Sequence, residues 1–498
     1  MPAPETASPT TRSSAINAQA SAINAQEHND SANGVVIIGA GMAGSRLAIK
    51  LATVWQQNDS NTHSNGHHSN NTQENKAPKI TLISKESEVG YNRIMLSPVL
   101  AGETSFEDTY LYDKGDYERL GIHVLAAVGV DKIDTNNQQL SLDNGDCLSY
   151  GKLVIATGST ARVIPFPNHQ AKGVHVFRDV ADVDLLSEYA KQGKTGLVIG
   201  GGVLGLEAAC ALSSQGAAMT VIHVDDYVLN RQLDLPAALM LQEELVRRGV
   251  GLEVSAASTT IEVNDADEVV GLSLKDGRTL AADFIVMAVG IIPNTQLAAD
   301  SGIEVNRAIV VDENMHTCCP NIYAIGECVE INDELFGMVS SVNQHVDSLI
   351  QVLTHPAVES NWSPFVSVPL ALKLKVSGIA VFSSGQIEFD DEELAFVEQI
   401  VYRHIEDNQY HCLFVKADHL IGAVLYGETG DGTFYSKLIN EQIDISSVKQ
   451  DLIFGAAYCQ SKLENQDSDN AAISPVSTGE QTAVAQQETA ALQTIACA

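Results

Sequence analysis

Two short glycine-rich turns, 161 residues apart, constrain this 498-residue chain more than any other feature. In the first, the apolar run Val35–Ile38 leads into Gly39-Ala-Gly41-Met-Ala-Gly44 and on into SRLAIKLATVWQ. In the second, the run at 197–199 leads into Gly200, Gly202 and Gly205 and on into a helical stretch that includes Glu207. Strand, G-x-G-x-x-G turn and helix in that order form a dinucleotide cradle. The first glycine takes the tight turn, the second lets a pyrophosphate approach the backbone, and the third lets the helix pack on the strand. The helix N-terminus then presents free N–H groups and a partial positive charge to the phosphates. Two such cradles in one chain predict two nucleotide sites.

The surrounding pattern agrees. VVIIG 35–39, KITLI 79–83, KLVIATG 152–158, GLVIG 196–200, MTVIHV 219–224, DFIVMAVG 283–290 and NIYAIG 321–326 are apolar, β-branched runs separated by amphipathic stretches. Continuous apolar strands joined by helices imply parallel sheets buried on both faces, an α/β fold. Beyond about 366 the runs LALKLKVSGIAVFSSG, FVEQIVYRHI and HCLFVKADHLIGAVLYG, with the closing amphipathic TFYSKLINEQIDISS, read as a small antiparallel α+β domain.

Residues 1–33 and 461–498 are polar and small-residue-rich and are expected to be disordered tails, with a weak helix at 481–492; 58–78 reads as a flexible insertion. Its His63, His67 and His68 have no element to fix their spacing, so no metal site is expected. The formal charge is −34, and removing the two tails leaves −28 on the part between. A field of that sign argues against nucleic acid or an anionic membrane surface as a partner.

Eight scattered cysteines, without a C-x-x-C, spell out neither a disulfide scaffold nor a metal cradle; with no signal peptide or membrane-length apolar run, a cytoplasmic protein is expected. The vicinal Cys318–Cys319 pair reads as plain turn residues, and Cys328 as a packed thiol.

In the first cradle the acid that would bind the ribose follows the next strand. Because the insertion delays that strand, the candidate is Glu86. In the second cradle the equivalent position is His223, which selects neither NADH nor NADPH; Asp225 and Asp226 just beyond would repel a 2′-phosphate and favour NADH, with NADPH still open.

LVIATGS (153–159), FIVMAVGIIPN (284–294) and CPNIYAIGECVE (319–330) resemble segments of the FAD/NAD(P)H pyridine nucleotide oxidoreductases related to glutathione reductase. Within that superfamily YNRIMLSPVLAGE (91–103), VIGGGVLGLEAA (198–209), NRQLD (230–234), VDENMHT (311–317) and LKVSGIAVFSSG (374–385) are similar to the N-terminal flavin module of NAD(P)H-dependent nitrite reductase large subunits, over roughly 34–455. The resemblance implies a noncovalent FAD on the first cradle and NADH as co-substrate on the second. It implies an FAD domain at 34–165 and 285–365, split by an inserted NAD(P)H domain at 166–284, and a small domain at 366–460.

It also places Ala156, Thr157 and Gly158 at the crossover, and Gly326 and Glu327 at the ribityl or pyrophosphate side of the flavin. Arg93 and Ser97 fall in the R-x-x-L-S-K frame of rubredoxin and ferredoxin reductases, with Pro98 where those have Lys. Glu207 falls near the nicotinamide, and a helix starting at Met338–Val342 points at the flavin.

Disulfide reductases of this superfamily carry a relay cysteine beside the flavin, and 91–103 contains none. The resemblance therefore implies a hydride passed from NADH to FAD and electrons passed to a separate redox protein, a nitrite or nitrate reductase component or a small iron–sulfur or rubredoxin-type carrier. No residue need serve as a catalytic acid or base. The iron–sulfur and sirohaem parts of nitrite reductase have no counterpart in these residues. The alternatives are a rubredoxin or ferredoxin reductase outside nitrogen metabolism, and a non-catalytic flavin-bearing NADH sensor; a homodimer is compatible with the sequence. Lys373, Lys375, Arg403 and Lys416 form a candidate basic patch for an acidic carrier.

Overall fold

In the computed structural model, residues 34–64, 78–355, 362–367, 372–376 and 378–473 are described. The first unit runs β1 (Val35–Ile38), α1 (Met42–Ser64), β2 (Ile80–Ile83), the short α2 (Leu96–Leu100), β3 (Ile122–Leu125) and β4 (Lys152–Ile155). Chain crossing follows through β5 (Ser159–Ala161). The second unit holds β6 (Val174–Val176), α3 (Val180–Lys191), β7 (Thr195–Ile199), α4 (Val203–Ser214), β8 (Ala218–Ile222), α5 (Leu235–Arg247), β9 (Gly251–Glu253) and β10 (Phe284–Met287). The chain returns through β11 (Ile291–Pro293), antiparallel to β5, and supplies β12 (Ile322–Ala324) and α6 (Val339–Thr354) to the first unit.

Both main sheets are five-stranded and parallel, in the orders β12-β4-β1-β2-β3 and β9-β8-β7-β10-β6. β1 and β7 lie at their centres with helices α1 and α4 leaving their C-terminal ends, which is where an open α/β sheet offers a crevice for a ligand. All four residues of β1 are buried, as a strand covered on both faces requires. Three-stranded antiparallel sheets at 130–149 and 258–281 flank the two units.

The last unit is an antiparallel sheet of β13 (Leu372–Val376), β14 (Ile379–Gly385), β15 (Glu398–His404), β16 (Gln409–Lys416) and β17 (His419–Tyr426), with α7 (Gly432–Asn440) and α8 (Ala456–Ile473). Its order is β13-β14-β17-β16-β15, so β15 is one edge. Alternation along the strands sends Tyr410, Cys412, Phe414, Val424 and Tyr426 into a core shared with α4 and α5, and Leu413, Val415, Ala423 and Leu425 into a second core under α7 and α8. Among the described residues no helix is long and apolar enough to cross a membrane.

Two expectations from the sequence change. Helix α1 continues to Ser64, into the stretch read as a flexible insertion. Helix α8 runs to Ile473, past the point where a disordered tail was expected to begin, because Cys459 and Leu463, four residues apart, bury one side of it in the second core. Residues 1–33, His67, His68 and 481–492 lie outside the described residues, as do the side chains of His63, Lys373 and Lys375.

Candidate functional site

The three glycines of each cradle have different surroundings. A Cβ on Gly39 would stand 2.2 Å from the Ala156 carbonyl oxygen, and one on Gly44 would stand 1.9 Å from the Gly39 carbonyl oxygen. In the second cradle the equivalent contacts are Gly200 to the Ala288 oxygen at 2.2 Å and Gly205 to the Gly200 oxygen at 2.1 Å. Gly39 and Gly200 also take φ of +106° and +120°, which disfavour any side chain. Gly41 and Gly202 differ from all four: a Cβ there meets nothing within 4 Å. The outer glycines are fixed by the protein's own packing, while the middle ones face open space at the start of α1 and α4. That space, bordered by helix N-termini, fits a pyrophosphate.

Around the first cradle the residues singled out by the sequence are brought together at the C-terminal ends of β1, β2, β4 and β12. Ala156 is bonded through its N–H to the Ile38 carbonyl, and Thr157 exchanges side-chain and main-chain hydrogen bonds with Asn294 at 3.0 and 2.8 Å. The β4 turn and the return crossover are thereby locked together. Gly326 and Glu327 open a short 3-10 turn after β12, and the Gly326 N–H is aimed at His345 Nδ1 at 3.4 Å. His345 is fully buried on α6 between the rings of Phe336 and Phe365, and burial pushes its imidazole down to about 4.

Glu86 follows β2 and is held twice: the Tyr91 hydroxyl donates to Oε2 at 2.6 Å, and Arg93 pairs with Oε1. Burial, opposed by the nearby Arg93 and reinforced by Glu86, pushes the Tyr91 phenol well above its ordinary range. Arg93 lies 4.9 Å from the Tyr91 ring centroid and also donates to the Arg178 carbonyl at 3.0 Å.

That last bond crosses from the first unit to the second, and Arg178 returns it. Its guanidinium pairs with Glu327 at 2.5 Å and donates to Ser159 Oγ at 2.8 Å, while Ser159 donates to Glu327 at 2.7 Å. Both members of the ion pair are largely buried, with about a fifth of each side chain exposed (22% and 21%), so removing one would strand the other. A third bridge joins the units: Ser97 on α2 donates to Glu207 on α4 at 2.7 Å. Burial pushes the Glu207 carboxyl up, with the Ser97 hydrogen bond opposing. His223, at the end of β8, accepts the Gly201 N–H on Nδ1 at 3.1 Å and so braces the second glycine turn; Nε2 lies 3.5 Å from Asp225.

Arg178, Ser159, Asn294 and His345 were missed by sequence reasoning. Each acts through a partner distant in sequence, and FRDV around Arg178 or NQHV around His345 has no spacing signal that could have found it. The cysteines follow expectation in place: Cys328 is buried, and the Cys318 and Cys319 sulfurs are 3.8 Å apart as free thiols in the turn before β12.

Residues 33–350 match the family model described as pyridine nucleotide-disulphide oxidoreductase, and 371–443 match the rubredoxin NAD+ reductase C-terminal domain. The chain is 36% identical over 419 residues to a nitrite reductase (NAD(P)H) of Bacillus subtilis, covering 84% of this chain and 48% of that one. It is 38% identical over 375 residues to the assimilatory nitrate reductase electron transfer subunit of the same organism, covering 75% and 47%. The chain thus spans about half the length of these curated relatives. Among solved structures, the NADH:rubredoxin oxidoreductase of Clostridium acetobutylicum superposes with a TM-score of 0.65 at 26% identity, covering 83% of this chain and 97% of that one.

Proposed function

The chain belongs to the pyridine nucleotide-disulphide oxidoreductase family, and on that premise we propose that it is an FAD-dependent NAD(P)H oxidoreductase. It takes electrons from NADH and passes them to a separate redox protein, as the electron-transfer component of an assimilatory nitrite or nitrate reductase system. The observation that carries this reading is the joining of the two cradles: Ser97–Glu207, Arg93–Arg178 and Arg178–Glu327 tie the nucleotide faces of the two units to each other. Bound FAD supplies a hydride acceptor that can release its electrons one at a time.

The protein's own residues bind and orient. Gly39, Gly41, Gly44 and the N-terminus of α1 would hold the FAD pyrophosphate and Glu86 the ribose. Ala156, Thr157, Gly158, Gly326, Glu327, Arg93 and Ser97 would line the flavin side. Gly200, Gly202 and Gly205 would hold NADH, with His223 fixing the turn and Glu207 near the nicotinamide. Held by the Ser97 hydroxyl, with burial pushing its carboxyl up, Glu207 would serve there by position. Lacking a cysteine in 91–103, the chain makes no use of the sulfur relay its family is named for. On the same footing it works in the cytoplasm, where thiols stay reduced.

Purified protein tests this: it should release FAD on heat denaturation and turn over NADH with ferricyanide. Protein that lacks flavin, or binds NADH with negligible turnover, would oppose the reading, the latter in favour of a sensor. A second reading, a rubredoxin or ferredoxin reductase outside nitrogen metabolism, is favoured by the match of 371–443 to the rubredoxin NAD+ reductase C-terminal domain. Comparing kcat/KM for rubredoxin and for a nitrate or nitrite reductase catalytic component separates the two.

A further inference from the structure

The contact between the C-terminal sheet and the second unit is closed at one end and open at the other. Tyr426 on β17 reaches the Met240 carbonyl at 3.4 Å, and Tyr410 on β16 donates to Asp234, the residue that caps α5. Beside Tyr410 the two surfaces part, leaving an open cleft of about 650 Å³. Leu235, Pro236, Ile387, Phe389, Leu394 and Phe414 form its apolar lining, and Gln399 of edge strand β15 borders it. Leu235 is 49% exposed, Leu394 42%, and Phe396 nearby 74%. Large apolar groups gathered at a cleft mouth mark a surface that something covers.

The rim is anionic. Glu388 and Asp390 line the cleft, and Asp391, Glu392 and Glu393 continue from them in sequence towards Leu394 on the same wall, so that five carboxylates stand in six consecutive residues. On the opposite wall Tyr227 directly follows Asp225 and Asp226. Among the described residues no lysine or arginine forms an ion pair with any of these seven. Negative potential beside exposed apolar surface selects the complementary chemistry, a segment with cationic and apolar side chains together. It also selects against other occupants: a second copy would bring the same acidic rim and a charge of −34, and the chain's own terminal stretch from 461 carries −4.

We propose that this cleft docks a cationic amphipathic segment of the electron-accepting partner, with apolar side chains between Leu235 and Leu394 and Lys or Arg along the carboxylate rim. The partner's role rests on the function proposed above; the docking chemistry rests on the cleft alone. The cleft lies by edge strand β15, across the sheet from β13, which carries Lys373 and Lys375.

The test uses the full-length flavoprotein and a fluorescein-labelled synthetic helical peptide of Lys, Leu and Phe, with a Glu-for-Lys peptide as its counterpart, followed by anisotropy. The Lys peptide should bind saturably and the Glu peptide should not. Asp391→Lys with Glu392→Lys, and separately Leu235→Glu with Leu394→Glu, should each weaken binding by about tenfold or more. Asp131→Lys with Asp146→Lys, the same charge change on the distant 130–149 sheet, should leave it within about twofold. Equal weakening by the distant pair, or no saturable binding to the wild type, overturns the proposal. Should the leucine variant fail to fold, the exposed Asp391 and Glu392 pair still decides it. NADH-to-ferricyanide turnover, measured alongside, should be unchanged in every variant; its absence from the wild type would sink the oxidoreductase reading while leaving the peptide result to judge the cleft.

Discussion

The two kinds of glycine in the first cradle predict opposite failures. Gly39→Ala places a side chain at φ +106°, which costs about 1–3 kcal/mol in backbone strain. The new carbon would also stand 2.2 Å from the Ala156 oxygen, so the turn after β1 and the end of β4 must move apart. Over-packing of that kind adds about 1–3 kcal/mol. Together these come to about 2–6 kcal/mol, a large part of a stability of about 5–15 kcal/mol. At Gly41 an added Cβ meets no atom within 4 Å and φ is not left-handed, so Gly41→Val should change the apoprotein by about 0.5 kcal/mol or less. It does fill the space proposed as the pyrophosphate seat. Losing even one charge-assisted hydrogen bond there costs about 2 kcal/mol, roughly thirtyfold in FAD affinity.

Urea unfolding of the apoproteins and reconstitution with FAD, followed by flavin fluorescence, separate the two effects. Gly39→Ala should lower the unfolding midpoint, whereas Gly41→Val should keep the midpoint and lose the flavin. A Gly41→Val protein that takes up FAD like the wild type, or a Gly39→Ala apoprotein as stable as the wild type, refutes the reasoning.

Burial raises the Glu207 carboxyl, so the native state binds more protons than the unfolded chain between the two pKa values and stability falls as pH rises through that window. Glu207→Gln should therefore raise the melting temperature at neutral pH and leave it unchanged below the ordinary carboxylate range; the same shift at both pH values counts against this. His345 is the reverse case: with its pKa lowered from 6.5 to about 4, its contribution is complete above 6.5 and is lost as pH falls towards 4. A melting-temperature series over that range should be flatter for His345→Asn than for the wild type, and parallel curves would show that another group senses the acid. With Asp225 3.5 Å from His223 at the end of β8, kcat/KM should be higher for NADH than for NADPH, and the opposite ranking would overturn the reading of that strand end.

The parallel strands of both units and the two glycine turns were legible in the sequence because a strand buried on both faces must be continuously apolar and a turn against a carbonyl must be glycine, as Val35–Ile38 and Gly39 show. The shorter strands escaped: Val174–Val176 and Gly251–Glu253 are three residues long, half-buried at sheet edges, and carry no periodicity to read. The end of α8 is hard to read because, among the described side chains, Cys459 and Leu463 supply its buried face and the sequence of its far half is polar. At the site, motif residues could be named, but their partners could not. Arg178 is an unmarked arginine until folding brings it within 2.5 Å of Glu327, 149 positions away.

In the proposed reaction electrons pass from NADH to FAD on this chain without a sulfur relay. Anaerobic titration with NADH, before and after exhaustive alkylation of accessible thiols, tests it most directly, with absorbance in the visible flavin band as the readout. One equivalent of NADH per bound FAD should bleach the band in both samples, and a one-electron acceptor dye should restore it. A band that NADH leaves unchanged, or one that bleaches only while the thiols are free, would contradict the account.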